Sequence, residues 1–268
     1  MKKLIFLLLL VFLWSPSFAQ HDKTEAPPKT GVYLDTFWVS GSDTLLYRML
    51  LPPGFSFKNK YPLILFLHGM GERGEDNKLQ LTHGSKLFLD SINAYPSIVL
   101  FPQCPETDYW ANLDRSQFDE DSMRLFRFRT EEADPHPSLG MVMEMIRHYK
   151  AQPYVDNSRL YLAGLSMGSM GTFDLLWRMP DTFAAAIPIC GSSPMDKVDV
   201  FRKIPLWIFH GAKDKTVDPD NSVRIVNALQ NAGAEVRFTM YPEANHNSWD
   251  QAFAEPEFFK WLFSHTRN

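Results

Sequence analysis

Short, unbroken apolar runs recur along this chain, at residues 62–67, 97–101, 159–163, 184–189, 205–209 and 235–240. Runs of that length without polar alternation suit strands buried on both faces, as in a parallel sheet covered by helices. Between them lie stretches with helical spacing of apolar positions, at 139–149, 169–178 and 220–231, and another follows at 251–263. Residues 33–40 and 44–51 are strand-like around Gly41-Ser42-Asp43 and predict an opening hairpin that stops at Pro52-Pro53-Gly54. The alternation predicts an α/β fold: a mostly parallel central sheet with an N-terminal antiparallel hairpin and helices on both faces. Its ligand crevice should lie at the carboxyl ends of the strands.

Residues 102–137 break the rhythm, with Trp110, Phe118, Phe126 and Phe128 scattered among charges. A connection this long inside a compact domain either carries function or holds short helices of its own. The stretch between the runs at 184–189 and 205–209 is short, which leaves no room for a large lid domain and predicts an open crevice.

The first residues set the compartment. Lys2 and Lys3 precede an apolar run over 4–14, and Ser17-Phe18-Ala19 places small residues where a signal peptidase cuts. Eleven residues fall well short of the ~20 needed to span a bilayer, and no cysteine follows the run to take a lipid. Residues 1–19 therefore read as a signal peptide, 20–30 as a polar, proline-bearing leader, and 31–268 as one catalytic domain, periplasmic or secreted. A net charge of −4 without basic clustering argues against nucleic acid or an anionic membrane as partner. Two cysteines, Cys104 and Cys190, are too few for a disulfide scaffold.

The chemistry centres on Gly164-Leu165-Ser166-Met167-Gly168, which joins an apolar run to a helical stretch. This is the G-x-S-x-G nucleophile elbow in its strand-to-helix context: glycines flank a turn too tight for side chains, and the serine is held strained with Oγ exposed. At ordinary glycine and serine frequencies such a motif arises by chance in roughly one chain in ten of this length, so its companions decide. An activated serine needs a base and a group that orients the base, in the chain order Ser, Asp or Glu, His. Asp214 falls soonest after the run at 205–209 and is the expected acid, with Asp218 and Asp220 as alternatives. His246, just past the run at 235–240, is the expected base; His210 closes a strand and reads as a packed residue hydrogen-bonded near the site, and Asp250 as a helix cap.

The oxyanion needs backbone donors. One should be the N–H of Met167, and the other should come from His68-Gly69-Met70-Gly71, where Met70 N–H is the first choice and Gly69 the second. Arg73 or Asn77 would hold that loop in place, and Trp110 and Trp249 would wall a substrate pocket.

On these residues the chain resembles the α/β-hydrolase superfamily, and within it secreted bacterial esterases related to polyhydroxybutyrate depolymerases, feruloyl esterases and the catalytic domain of prolyl oligopeptidase. The likeness runs from about residue 61 to 263. It rests on residues 67–74 (LHGMGERG), Pro102-Gln103-Cys104-Pro105, residues 164–171, Phe209-His210-Gly211 with Asp214 and Val217, and His246 with Trp249. Ser169 stands where relatives generally carry a second glycine. The resemblance implies hydrolysis of small-molecule or polysaccharide-borne carboxylic esters through an acyl-enzyme, with acetyl or hydroxycinnamoyl esters as candidates, and with neither cofactor nor metal. Its peptide-cleaving relatives usually gate the site with a large extra domain, for which this chain has no residues. A serine peptidase and a non-catalytic binding protein are the alternatives. The strand order usual for the superfamily puts two strands between those bearing Cys104 and Cys190. At ~4.8 Å per step that is roughly 14 Å, beyond the ~7 Å Cα limit for a disulfide, so both should be free thiols.

Overall fold

A computed structural model describes residues 29–113, 126–131 and 134–267. The hairpin forms from β1 (Tyr33–Ser40) and β2 (Asp43–Leu50), which pair antiparallel from Tyr33 with Leu50 to Ser40 with Asp43. Gly41 makes the turn at φ +59°, a left-handed backbone that favours glycine. The remaining strands are β3 (Tyr61–Leu67), β4 (Ile98–Pro102), β5 (Val155–Leu165), β6 (Ala185–Ile189), β7 (Leu206–Gly211) and β8 (Val236–Tyr241). The eight strands form one sheet in the order β1-β2-β4-β3-β5-β6-β7-β8. Pairing is antiparallel from β1 to β4 and parallel from there on.

The unbroken apolar runs are explained by two cores, one on each face. Along β3, Leu63, Leu65 and Leu67 enter one core while Ile64 and Phe66 enter the other; along β7, Leu206 and Ile208 oppose Trp207 and Phe209. The first face is covered by α2 (Pro137–Lys150), α3 (Met167–Arg178), α4 (Val198–Phe201) and α5 (Asp220–Asn231). The second is covered by α1 (Ser85–Ser91), α6 (Trp249–Phe253) and α7 (Phe258–Phe263). This is the α/β-hydrolase fold.

Two elements differ from the sequence reading. The helical pattern over 251–263 is two helices, because Pro256 has no N–H to donate and drives the residue before it out of the helical region. Helix α1 had no clear pattern in sequence: Phe88 is its single fully buried side chain. Within 103–136, the described residues form only a bridge between Leu113 and Phe128. Phe126 and Phe128 pack half-buried on the first core. That connection also fixes the start of α2. Asp108 Oδ2 accepts from Ser138 N at 2.7 Å in the first turn of the helix, and Oδ1 meets His136 Nδ1 at 2.7 Å. Burial opposes the Asp108 carboxylate, but these donors outweigh it and hold its pKa down at about 2. Phe118, residues 1–19, expected to be a signal peptide, and residues 20–28 of the expected leader lie outside the described residues. Cys104 and Cys190 are free and buried, with β3 and β5 between the strands that lead to them.

Candidate active site

Strand β5 turns into α3 at Ser166, whose φ of +52° and ψ of −118° no unstrained L-residue adopts. The flanking glycines are required by contact. A Cβ on Gly168 would sit 2.0 Å from the Leu67 carbonyl oxygen, and one on Gly164 would sit 2.4 Å from the carbonyl oxygen of Gly168. The helix thus starts against the end of β3, and Ser166 stays partly exposed at the crest. Ser169 rests on Gly191, where an added Cβ would lie 2.3 Å from the Ser169 hydroxyl.

Three loops converge on this crest. His246, in the loop after β8, places Nε2 2.9 Å from Ser166 Oγ and Nδ1 2.7 Å from Asp214 Oδ2. Asp214, in the loop after β7, has no exposed side-chain surface, and its Oδ1 accepts from Thr216 N at 2.8 Å and Val217 N at 2.9 Å. Burial alone would raise its pKa, yet hydrogen bonds from His210, His246 and the Val217 N–H overcome burial and hold it well below the usual carboxylate range. The other acids do not enter. Asp218 accepts from Asp220 N, and Asp220 opens α5 on the surface. Asp250 does not cap α6 but sits in its first turn and accepts from Asn247 Nδ2 at 3.0 Å.

His210 is packed and hydrogen-bonded beside the site, as expected. Its Nε2 lies 3.0 Å from the Val217 carbonyl oxygen and 3.2 Å from Asp214 Oδ2, so that nitrogen carries a proton shared between two acceptors. Nδ1 meets the Ser222 hydroxyl at 2.7 Å. Chain order alone could not show that two histidines address one carboxylate oxygen.

The loop after β3 passes beside Ser166: a Cβ on Gly69 would lie 3.6 Å from Ser166 Cβ. His68 is its anchor. Cys104 N donates to His68 Nε2 at 3.0 Å, which leaves Nδ1 to donate to the Gly69 carbonyl at 2.6 Å. Burial pushes the His68 pKa down to about 4, so the ring is neutral near pH 7. Arg73 ties the same loop to the next connection, donating to the carbonyls of Met70 (3.2 Å), Glu106 (2.8 Å) and Asp108 (3.2 Å). Asn77, at φ +53°, is bound from both sides by Gln103 and Gln80. Met70 is half-exposed beside the crest, and Met167 is buried in the first turn of α3.

The two tryptophans separate. Trp249 is half-buried, with its ring 5.4 Å edge-on from His246. Trp110 has no exposed surface; it packs on Gly171 and donates to the His68 carbonyl at 3.2 Å. It supports the loop from below and does not wall a pocket. Cys190, Asp214 and His246 form the only group of three candidate metal-binding side chains found among the described residues, their ligand atoms lying within 4.8 Å of one another. A metal there would have to displace the hydrogen bond between His246 and Asp214.

Residues 56–259 match the model of the phospholipase/carboxylesterase family. Among solved structures, a thermostable esterase superposes with a TM-score of 0.76 at 32% identity, covering 88% of this chain and 63% of that one. Among curated proteins, a secreted protein of Arthroderma benhamiae is 23% identical over 266 residues, 85% of this chain and 26% of its own length. A bifunctional acetylxylan esterase/xylanase of Neocallimastix patriciarum is 29% identical over 77 residues, 29% of this chain and 12% of its own length. This chain thus spans about a quarter or less of those two relatives. With the G-x-S-x-G turn, the strand order and the matched span in agreement, the chain belongs to the phospholipase/carboxylesterase family.

Proposed function

We propose that this protein is an exported serine esterase that hydrolyses carboxylic esters through an acyl-enzyme. The observation that carries this reading is the continuous chain from Ser166 Oγ through His246 to Asp214, at 2.9 and 2.7 Å, on a strained and partly exposed turn. Ser166 Oγ attacks the ester carbonyl as His246 Nε2 takes its proton. Asp214 fixes the tautomer of His246 and stabilises the imidazolium. The tetrahedral oxyanion is held by the N–H groups of Met167 and Met70, on the two backbones that meet at the crest. His246 then protonates the leaving alcohol, and water, deprotonated by the same imidazole, releases the acid and regenerates Ser166. No step draws on a cofactor or metal.

Acetyl or hydroxycinnamoyl esters on plant polysaccharide suit an open site edged by Trp249. The acetylxylan esterase and the secreted protein among the relatives support that substrate class and an exported location. The test is purified protein against aryl acetates, methyl ferulate, acetylated xylan, polyhydroxybutyrate and dipeptide amides, with Ser166→Ala as control. We expect ester hydrolysis that the control lacks. Cleavage of the amides alone would make it a peptidase, and turnover of none would make it a binding protein.

A further inference from the structure

Glu72 stands unusually close to the nucleophile for a charged side chain with no role in the hydrogen-bonded chain. A Cβ built on Gly69 would lie 2.9 Å from Glu72 Oε2 and 3.6 Å from Ser166 Cβ, so both atoms border a single point beside the crest. The Glu72 side chain is 12% exposed, yet among the described residues no N–H or O–H donates to either oxygen. Its neighbour Arg73 is committed to three backbone carbonyls. The nearest ring nitrogen is His83 Nε2, 3.6 Å from Glu72 Oε1, beyond hydrogen-bond length. With a little of the side chain still exposed, these acceptors are open to a donor from outside the protein.

The surroundings say what that is. His83 lies against Trp249, ring centres 5.0 Å apart, and Trp249 lies against His246 at 5.4 Å. His246 protonates the leaving alcohol, so this cluster flanks the alcohol side of the ester. Trp249 Nε1 is itself a buried donor with no partner among the described residues. We infer that Glu72, His83 and Trp249 form a subsite for the alcohol portion of the substrate, and that this alcohol carries further hydroxyl groups. One hydroxyl set beside this pair, within hydrogen-bond length of both, donates to the carboxylate and accepts from a ring N–H, bridging two groups too far apart to bond directly. An ammonium has no acceptor to offer His83, and an anion is repelled by Glu72. A second hydroxyl oxygen accepts from the Trp249 indole after a small ring movement. The ring also gives the C–H face of a polyol an apolar surface.

This inference rests on the esterase reading, and the test separates the two. Propyl acetate, glycerol monoacetate and acetylcholine share one acyl group and differ in the alcohol. Wild type should hydrolyse glycerol monoacetate with kcat/KM about tenfold above propyl acetate, mainly through KM, because a site built to hydrogen-bond a hydroxyl discriminates against an analogue lacking it. Glu72→Ala should bring the two esters to within about twofold, and the shape-conserving Glu72→Gln should lie between, with thermal unfolding confirming that both variants fold. Equal rates for the two esters in wild type, a preference unchanged in Glu72→Ala, or acetylcholine favoured over both would each overturn the subsite alone. Turnover of none of the three, nor of an aryl acetate, would refute the esterase reading and the subsite with it.

Discussion

His68 gives the structure a measurable acid sensitivity. Its ring is buried, with Nε2 accepting from Cys104 N and Nδ1 donating to Gly69 O. Burial is the main cause of its depressed pKa of about 4; the Gly69 hydrogen bond works against it and the Arg73 charge adds to it. In the unfolded chain a histidine titrates at ~6.5. Between these values the unfolded state binds the proton and the folded state does not, so stability falls as pH drops from about 6.5 towards 4. From pH 7 to pH 4.5 the proton linkage of this one group amounts to about 2 kcal/mol. The carboxylates held low in the folded state, Asp108 and Asp214, act below the ordinary aspartate value and so outside this window. Urea unfolding at pH 7, 5.5 and 4.5 should therefore show wild type losing about 2 kcal/mol more than His68→Gln, whatever the variant's own stability at pH 7. Parallel losses in the two proteins would refute the assignment of His68 as a neutral, buried anchor of the loop beside Ser166.

Ser166→Ala should abolish ester hydrolysis with the melting temperature retained, His246→Ala should cost about as much, and the double variant little more, because the residues act as a unit; additive losses in kcat/KM would argue otherwise. His210→Phe removes the second donor to Asp214 Oδ2, and an underpaired buried carboxylate at about 1–3 kcal/mol corresponds to a fall in kcat of about fivefold to 150-fold with KM retained; a loss of thermal stability with kcat unchanged would leave His210 a packing residue. Gly168→Ala places a Cβ 2.0 Å from the Leu67 carbonyl oxygen, and overpacking of about 3 kcal/mol should lower Tm by roughly 10 °C; an unshifted melt by calorimetry would contradict the close approach of α3 to β3. A thiol reagent should titrate Cys104 and Cys190 in the denatured, unreduced protein and neither in the folded one, since both are buried and unpaired.

The sheet was legible because burial on both faces leaves a composition that little else produces. In β3 every residue from Tyr61 to Leu67 is buried, so no polar position interrupts the run. The hydrogen-bonded trio was legible for a different reason: Ser166, Asp214 and His246 each sit in the turn directly after a strand, and parallel strands deliver their ends to one edge of the sheet. What escaped was whatever depends on distance across that edge. Trp110 looks like a pocket wall in sequence and lies beneath the loop, because α3 approaches close enough at Gly171 to cover it. Glu72 sits in a charged stretch that gives no sign of its neighbours, and only the turn of backbone at Met70 to Glu72 brings the carboxylate back towards Ser166.

Two of the residues that hold the site are histidines at strand ends, and their placement has a common cause. Where a buried strand stops, the sheet no longer supplies partners for the backbone, and the loop amides and carbonyls beyond it must find others. A neutral imidazole offers one donor and one acceptor, set apart on a rigid ring. After β3, His68 directs the acceptor to Cys104 N and the donor to the Gly69 carbonyl, joining two loops from adjacent strands. At the end of β7, His210 shares its Nε2 proton between the Val217 carbonyl and the Asp214 carboxylate, closing the turn that carries Asp214. The first sets the loop beside Ser166 and the second sets the carboxylate behind His246. The geometry around Ser166 is therefore fixed from both sides by rings whose hydrogen bonds go to other partners.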